Sequence, residues 1–205
     1  MARDTQSIVK MSRREGYALH PKAHKALAKR TSMPGQAANA RMRNKPSQYA
    51  LQLREKQKVK RLYGLLEKQF SNLMAEASRT PGQSGATLLQ YLERRLDNVV
   101  YRAGFAPSRR AARQLVTHGH FMFNGRRVDI PSIRVREGDV ITLREHSKSS
   151  EYFKKIDETS PAPSTTPTWQ SVDRKKVQIT ISGLPVREDA EPDINEQLIL
   201  EYYSR

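Results

Sequence analysis

Residues 92–128 read LERRLDNVVYRAGFAPSRRAARQLVTHGHFMFNGRRV, and the hydrophobic pattern changes twice along them. With Leu88 and Leu89 just upstream, Leu92, Leu96, Val99 and Val100 share an arc of about 120° on a helical wheel. That spacing predicts a helix opening at Thr87 and stopping at Gly104, a natural helix terminator. A second, shorter helix follows Pro107, with Ser108 placed to cap it, and runs to about His118-Gly119. Beyond it the period turns strand-like. Phe121-Met122-Phe123 and the run from Arg126 to Ile130 flank Asn124-Gly125, the dipeptide most favoured in a tight type I′ hairpin. Val135, the turn Glu137-Gly138-Asp139 and the run Val140-Ile141-Thr142-Leu143 predict further strand pairing. Helix, helix, hairpin and strand together predict a small α+β unit with antiparallel strands.

Working outward, Ser, Thr and Pro fill 12 of the 25 positions from 146 to 170, which reads as a linker or surface loop with one short helix around Tyr152 to Ile156. Val177, Ile179 and Ile181 alternate with polar residues and predict one more strand. Asp193 is placed to cap a final helix whose apolar side holds Ile194, Leu198, Ile199 and Tyr202. On the N-terminal side, Ser47 after Pro46 caps a helical stretch. There Val59, Leu62, Tyr63, Leu66, Phe70, Leu73, Met74 and Ala77 form an apolar stripe, and Gly64 marks a break. Residues 1–46 carry few large apolar side chains and are expected to be an extended basic arm that orders only on a partner. The expected domains are therefore the arm 1–46, a helical subdomain 47–86 completed by the helix 193–205, and an α+β domain 87–182 containing the loop 146–170.

The 205-residue chain carries 37 Lys and Arg against 21 Asp and Glu, a net charge of +16. The excess is uneven: residues 1–90 are +13, 91–150 are +6 and 151–205 are −3. A surface needs a net charge of only about 2–8 to stay soluble. The larger excess suits a polyanion, whose condensed counterions are released when cations neutralise its phosphates. Bulky apolar anchors do not accompany the basic stretches, so no membrane partner is expected. No run of 18 apolar residues and no signal-peptide core occur, so a soluble, intracellular protein is expected. Zero cysteines exclude disulfides, thiol catalysis and a thiolate zinc site, and His20 and His24 stand without acidic company; neither metal nor cofactor is expected. Walker-type phosphate loops and nucleophile elbows are also missing, and the chain is expected not to be an enzyme.

The helix 109–118 is the sharpest functional feature. Arg109, Arg110, Arg113, Gln114, Thr117 and His118 cover one half of its wheel without a single acid, while Ala111, Ala112, Leu115 and Val116 cover the other. Small alanines allow close packing behind, and guanidinium forks in front suit phosphate oxygens.

These residues carry a family resemblance. Leu92 to Arg102 followed by Ala112-Arg113-Gln114-Leu115-Val116 resembles the RNA-binding S-four domain, with the hairpin Phe123 to Val128 where that domain has its own. Met1-Ala2-Arg3, Ser12 to Gly16, Pro34-Gly35-Gln36, Gln52 to Val59, Asp193 to Glu196 and the Tyr-Ser-Arg ending resemble the bacterial family of small-subunit ribosomal protein number four. Some members bind zinc through four cysteines in the arm; with Met11 and Ser12 there, this chain resembles the zinc-free variant. The resemblance implies a cytoplasmic, ribosome-bound protein that binds small-subunit ribosomal RNA in its 5′ domain and nucleates assembly of the subunit body. It also implies neighbours in ribosomal proteins three and five, a place beside the channel that messenger RNA enters, and a part in translational accuracy. The expected RNA contacts are Arg3, Arg13, Arg14, Arg54, Lys56, Lys58, Arg61, Arg94, Arg95, Arg109, Arg110, Arg113, Gln114, Arg126 and Arg127. Two alternatives stand beside this reading. One is a free-standing RNA-binding factor. The other is a pseudouridine synthase, whose Arg-Leu-Asp motif Arg95-Leu96-Asp97 mimics, with Asp97 expected on the polar side of its helix.

Overall fold

The computed structural model describes residues 4–30, 32–35, 45–163 and 166–204. In chain order the helices are α1 (Ile8–Glu15), α2 (Pro21–Lys29), α3 (Gln48–Leu62), α4 (Glu67–Arg79), α5 (Ser84–Glu93), α6 (Leu96–Arg102) and α7 (Arg109–Thr117). Strands β1 (Phe121–Phe123), β2 (Arg126–Val128) and β3 (Val140–Leu143) follow, then three single helical turns between 145 and 159. Strands β4 (Gln170–Asp173) and β5 (Gln178–Ile181) and helix α8 (Glu196–Tyr203) complete the order. The chain divides into two compact units, one of residues 1–88 and 191–205 and one of residues 89–190.

In the first unit, the expectation of an extended arm gives way to two helices. His20 accepts the Lys22 amide through Nδ1 at 3.0 Å and Pro21 opens α2, while Gly16, at φ +64°, closes α1 in the left-handed conformation. Met11, Leu19 and Ala23 are buried, and Arg13 binds the Ser32 carbonyl through Nε at 3.0 Å and Nη2 at 2.9 Å. Over the described residues of the arm, α1 packs against both α2 and α3 and gains a core it lacks alone; residues 1–3, 31 and 36–44 of the expected arm lie outside the described residues. Ser47 caps α3 by accepting the Ala50 amide, and Gly64, at φ +66°, separates α3 from α4. Val59, Leu62, Tyr63, Phe70, Met74 and Ala77 are buried, leaving Leu66 and Leu73 partly exposed.

Helix α8 packs on α3, with Ile199 fully buried and Ile194 nearly so. Its cap is Asn195, not Asp193: Asn195 Oδ1 accepts the Gln197 and Leu198 amides, while the Asp193 carbonyl accepts Lys58 Nζ at 2.7 Å. Gln52 donates to Glu201 at 2.8 Å and the Glu55 carboxylate accepts the Asn195 amide at 2.9 Å. Gly85 permits the first turn of α5 to approach α8, since a Cβ there would lie 2.9 Å from Glu196 Cβ.

In the second unit, the single helix predicted from Thr87 to Gly104 is two. The chain leaves the helical path at Arg94-Arg95 because the backbone there bonds to the 131–135 segment. Val135 N donates to the Arg94 carbonyl (2.9 Å), Leu96 N to the Ile133 carbonyl (2.8 Å) and Asp97 N to the Pro131 carbonyl (3.2 Å). Ser108 caps α7 through the Ala111 amide. Asn124 and Gly125, at φ +49° and +79°, make the mirror-image turn, and Asn124 locks it by accepting Val140 N and donating to Asp139, both at 2.8 Å. The sheet is antiparallel, in the order β2-β1-β3-β5-β4, with Phe121, Ile141, Leu143, Ile179 and Ile181 inward. The 146–170 segment is not a free linker over its described residues. Phe153 and Ile156 are buried in the core, Tyr152 donates to the Phe105 carbonyl, and Ser160 donates to the Gly104 carbonyl, both at 2.9 Å.

The packing of the first unit can be tested at two points. Replacing Ile199 by Ala should destabilise it by about 2–5 kcal/mol, as expected for a fully buried Ile whose cavity cannot close. Urea unfolding followed by circular dichroism checks this, and the half-exposed Leu198 should tolerate the same change better. The second point concerns acid. Burial would raise Glu67, but hydrogen bonds from Lys56, Lys60 and Tyr203 hold its pKa down at about 2. A depressed carboxylate stabilises fully above its unfolded value and loses that contribution as pH falls through the folded one. The melting temperature should therefore fall between about pH 4.5 and pH 2, and Glu67→Gln should flatten that limb while lowering the melting temperature at neutral pH.

Candidate nucleic-acid interface

Cations dominate the sequence, so the decisive question is which ones face solvent. In the first unit Arg54, Lys56, Lys58, Lys60 and Arg61 are held by acids. The buried carboxylate of Glu15 bonds both Arg61 and Arg54, the latter at 3.2 Å; burial raises its pKa against the pull of Arg54, Arg61 and Arg14. Lys56 is 3% exposed, bonds Glu67 at 2.7 Å and sits 4.4 Å from the Tyr202 ring centre. Lys58 bonds Glu55 at 2.8 Å. Arg13 is turned inward onto Ser32, whereas Arg14 is exposed and Arg54 is partly so. Arg3 lies outside the described residues.

The second unit sorts its cations the same way. Arg95 is 3% exposed and grips Asp97 with two hydrogen bonds, at 3.1 and 2.9 Å. Asp97 is itself buried, not on a polar surface, because Arg95 covers it and Arg113 Nε lies 3.8 Å away. Arg94 donates Nε to the Val135 carbonyl at 2.8 Å. Lys56 and Arg95, expected at the RNA, lie in the interior, each with a carboxylate within reach that offsets part of the cost of burying it.

Of the expected contacts in the second unit, those that stay partly or fully exposed around α7 and β2 are the following. On α7, Arg110 and Gln114 are exposed and Arg109 and Arg113 half-buried, above the buried Ala112, Leu115 and Val116. Arg109 donates Nε to Asn98 at 2.9 Å and lies 4.6 Å from the Tyr101 ring centre. Arg126 and Arg127 on β2 are exposed. The Arg127 guanidinium covers Gly119 just after α7: a Cβ at Gly119, whose φ is +70°, would lie 2.8 Å from Arg127 Nε. Helix α7 thus presents its guanidinium groups along its outer side, and the Arg127 guanidinium of the hairpin covers the turn that follows it.

His120 and Arg144, not among the expected contacts, lie just after α7 and at the end of β3. Burial, then the nearby His118 and Arg144 charges, push His120 below the ordinary imidazole value, and its Nδ1 lies 3.0 Å from Ser147 Oγ. Arg144 could have been found by continuing the alternation of Val140 and Thr142, both turned from the core. Among the described residues no group of His, Asp and Glu could hold a metal ion, and no helix is long and apolar enough to cross a membrane.

Comparison with known proteins gives this geometry a family. Residues 3–93 match the ribosomal protein S4/S9 N-terminal domain and residues 94–141 the S4 domain. The chain is 50% identical to the small ribosomal subunit protein uS4 of Herpetosiphon aurantiacus and 50% identical to that of Chlorobium limicola. It is 48% identical to the uS4A protein of Symbiobacterium thermophilum. Each alignment covers the whole of both chains. A clamped, buried Asp97 and full-length agreement with ribosomal proteins disfavour both the pseudouridine synthase and the free-standing factor. With an S4/S9 N-terminal domain leading into an S4 domain, and half its residues shared with these proteins from end to end, the chain belongs to the uS4 family of small ribosomal subunit proteins.

Proposed function

We propose that this protein is a structural, non-catalytic part of the small ribosomal subunit that binds ribosomal RNA, with α7 and the β1–β2 hairpin as its main RNA face. The observation that carries the RNA face is the outer side of α7, where Arg109, Arg110, Arg113 and Gln114 share one side of the helix and Arg110 and Gln114 are exposed. An RNA helix hides its base edges in a deep major groove, so a protein that binds folded RNA relies on phosphates, 2′-hydroxyls and shape. Guanidinium forks on a rigid helix suit that surface.

Arg14 and Arg54 in the first unit, with Arg13, Lys58, Arg61 and Arg94 as cations partly committed within the fold, extend the contact set; Arg3 joins it on the resemblance alone. The family resemblance supports a finer placement. On that reading the protein nucleates assembly on the 5′ domain of the RNA and sits beside ribosomal proteins three and five. It also borders the channel that messenger RNA enters, contributes to accuracy and works in the cytoplasm. Two units joined in one chain can hold separate RNA helices, which suits a nucleating protein. A tagged copy should sediment with small subunits and leave that position after ribonuclease treatment.

The RNA face has its own test. Replacing Arg109, Arg110 and Arg113 together by Gln should preserve the helix, whose apolar side is untouched. Affinity for small-subunit ribosomal RNA should fall, and the dependence of log affinity on log salt should become shallower by about 0.7–0.9 for each phosphate that is no longer neutralised. Lys at all three positions should give an affinity between the two, restoring charge but not the fork. Filter binding at several salt concentrations, beside circular dichroism, measures both.

A further inference from the structure

Behind α7 runs a chain of buried polar groups that a merely charged surface does not require. Glu93, at the end of α5, is fully buried. Its carboxylate accepts Arg102 Nε at 3.1 Å and Nη2 at 2.9 Å. Asn98, on α6 and 2% exposed, donates its side-chain amide twice to the same residue: to Glu93 Oε2 at 2.7 Å and to the Glu93 carbonyl at 3.1 Å. With its Nδ2 hydrogens so engaged, the Asn98 amide has one orientation, and Oδ1 must face α7. There it accepts Arg109 Nε at 2.9 Å, while the guanidinium lies over the Tyr101 ring.

We infer that Asn98 is a positioning residue for RNA binding: fixed by Glu93, it holds the Arg109 fork in place before RNA arrives. A neutral amide does this better than a carboxylate would. It orients the guanidinium while adding no opposing charge of its own. An arginine already held loses less freedom on binding and favours one phosphate geometry over diffuse negative charge. Asn98 therefore acts on recognition of folded RNA and not on attraction to a polyanion. This rests on the reading of α7 as an RNA face.

The test uses the full chain with two probes, a small-subunit ribosomal RNA transcript and poly(U). Asn98→Ala should weaken transcript binding by about five-fold, the effect of one hydrogen bond. The salt slope should not change, because no charge is lost. Poly(U) binding should stay within about two-fold of wild type. In an Arg109→Lys background, which lacks the Nε donor, Asn98→Ala should cost nothing further; in an Arg110→Lys background it should keep its full effect. Equal loss in both backgrounds, or no loss in the wild type, would overturn the inference.

Should Asn98→Ala fail to fold, ¹⁵N-arginine spectra of the unmodified free protein decide the matter. The Arg109 Nε–H signal, assigned by its disappearance in Arg109→Lys, should exchange slowly with solvent, and fast exchange would overturn the inference. The two readings fail differently. If the Gln triple variant binds the transcript normally, the RNA face and this inference both fall; if it binds poorly but Asn98 is uncoupled from Arg109, only the inference falls.

Discussion

Three buried carboxylates organise this chain. Glu15, Glu93 and Asp97 are each almost closed to solvent, and each gathers arginines: Arg54 and Arg61, Arg102, and Arg95 with Arg113 nearby. An unpaired charge of either sign would be costly inside a protein, so acid and base must enter together. With almost two cations for every acid, the placing of these few acids decides which arginines become internal braces and which remain at the surface. The basic face of α7 shows both outcomes, with Arg110 left in the open and Arg113 leaning on Asp97.

That sorting marks where sequence reading succeeds and where it stops. Local chemistry was legible: Ser47 and Ser108 cap helices, Gly64 separates two, and Asn124-Gly125 turns the hairpin, because each signal acts within a few residues. Distant pairing was not. The break at Arg94-Arg95 has no breaker residue and arises from bonds to residues 131–135. Strand β4, Gln-Ser-Val-Asp, has a single apolar side chain and exists as an edge strand because β5 pairs with it. In the arm, Gly16 ends α1 and Pro21 opens α2, but the scarcity of large apolar side chains argued against a core. Met11, Leu19 and Ala23 bury themselves only with neighbours the sequence does not announce.

For the binding surface the lesson is sharper. A wheel projection treats every arginine on a polar arc alike, yet Arg95 is buried on an aspartate two residues away and Arg110 is open to solvent. Chemical type was readable from the sequence; availability was not, since it depends on where Asp97, Glu67 and Glu15 come to lie. Arginines open to solvent and arginines that hold the fold differ only in their partners.

The first unit is closed by a helix from the far end of the chain. Ile199 completes a packing begun near Val59, but the ribosome that makes this protein must first synthesise the roughly one hundred residues of the second unit. At typical bacterial elongation rates that is a delay of about 5–20 s. During it the apolar side of α3 waits uncovered while residues 89–190 emerge with all their strand partners. The usual order, in which the N-terminal part folds first, is thereby reversed for the final step. A nascent chain stalled before residue 196 would carry a finished sheet beside an open helical groove, a form that chaperones and proteases could tell from the finished protein.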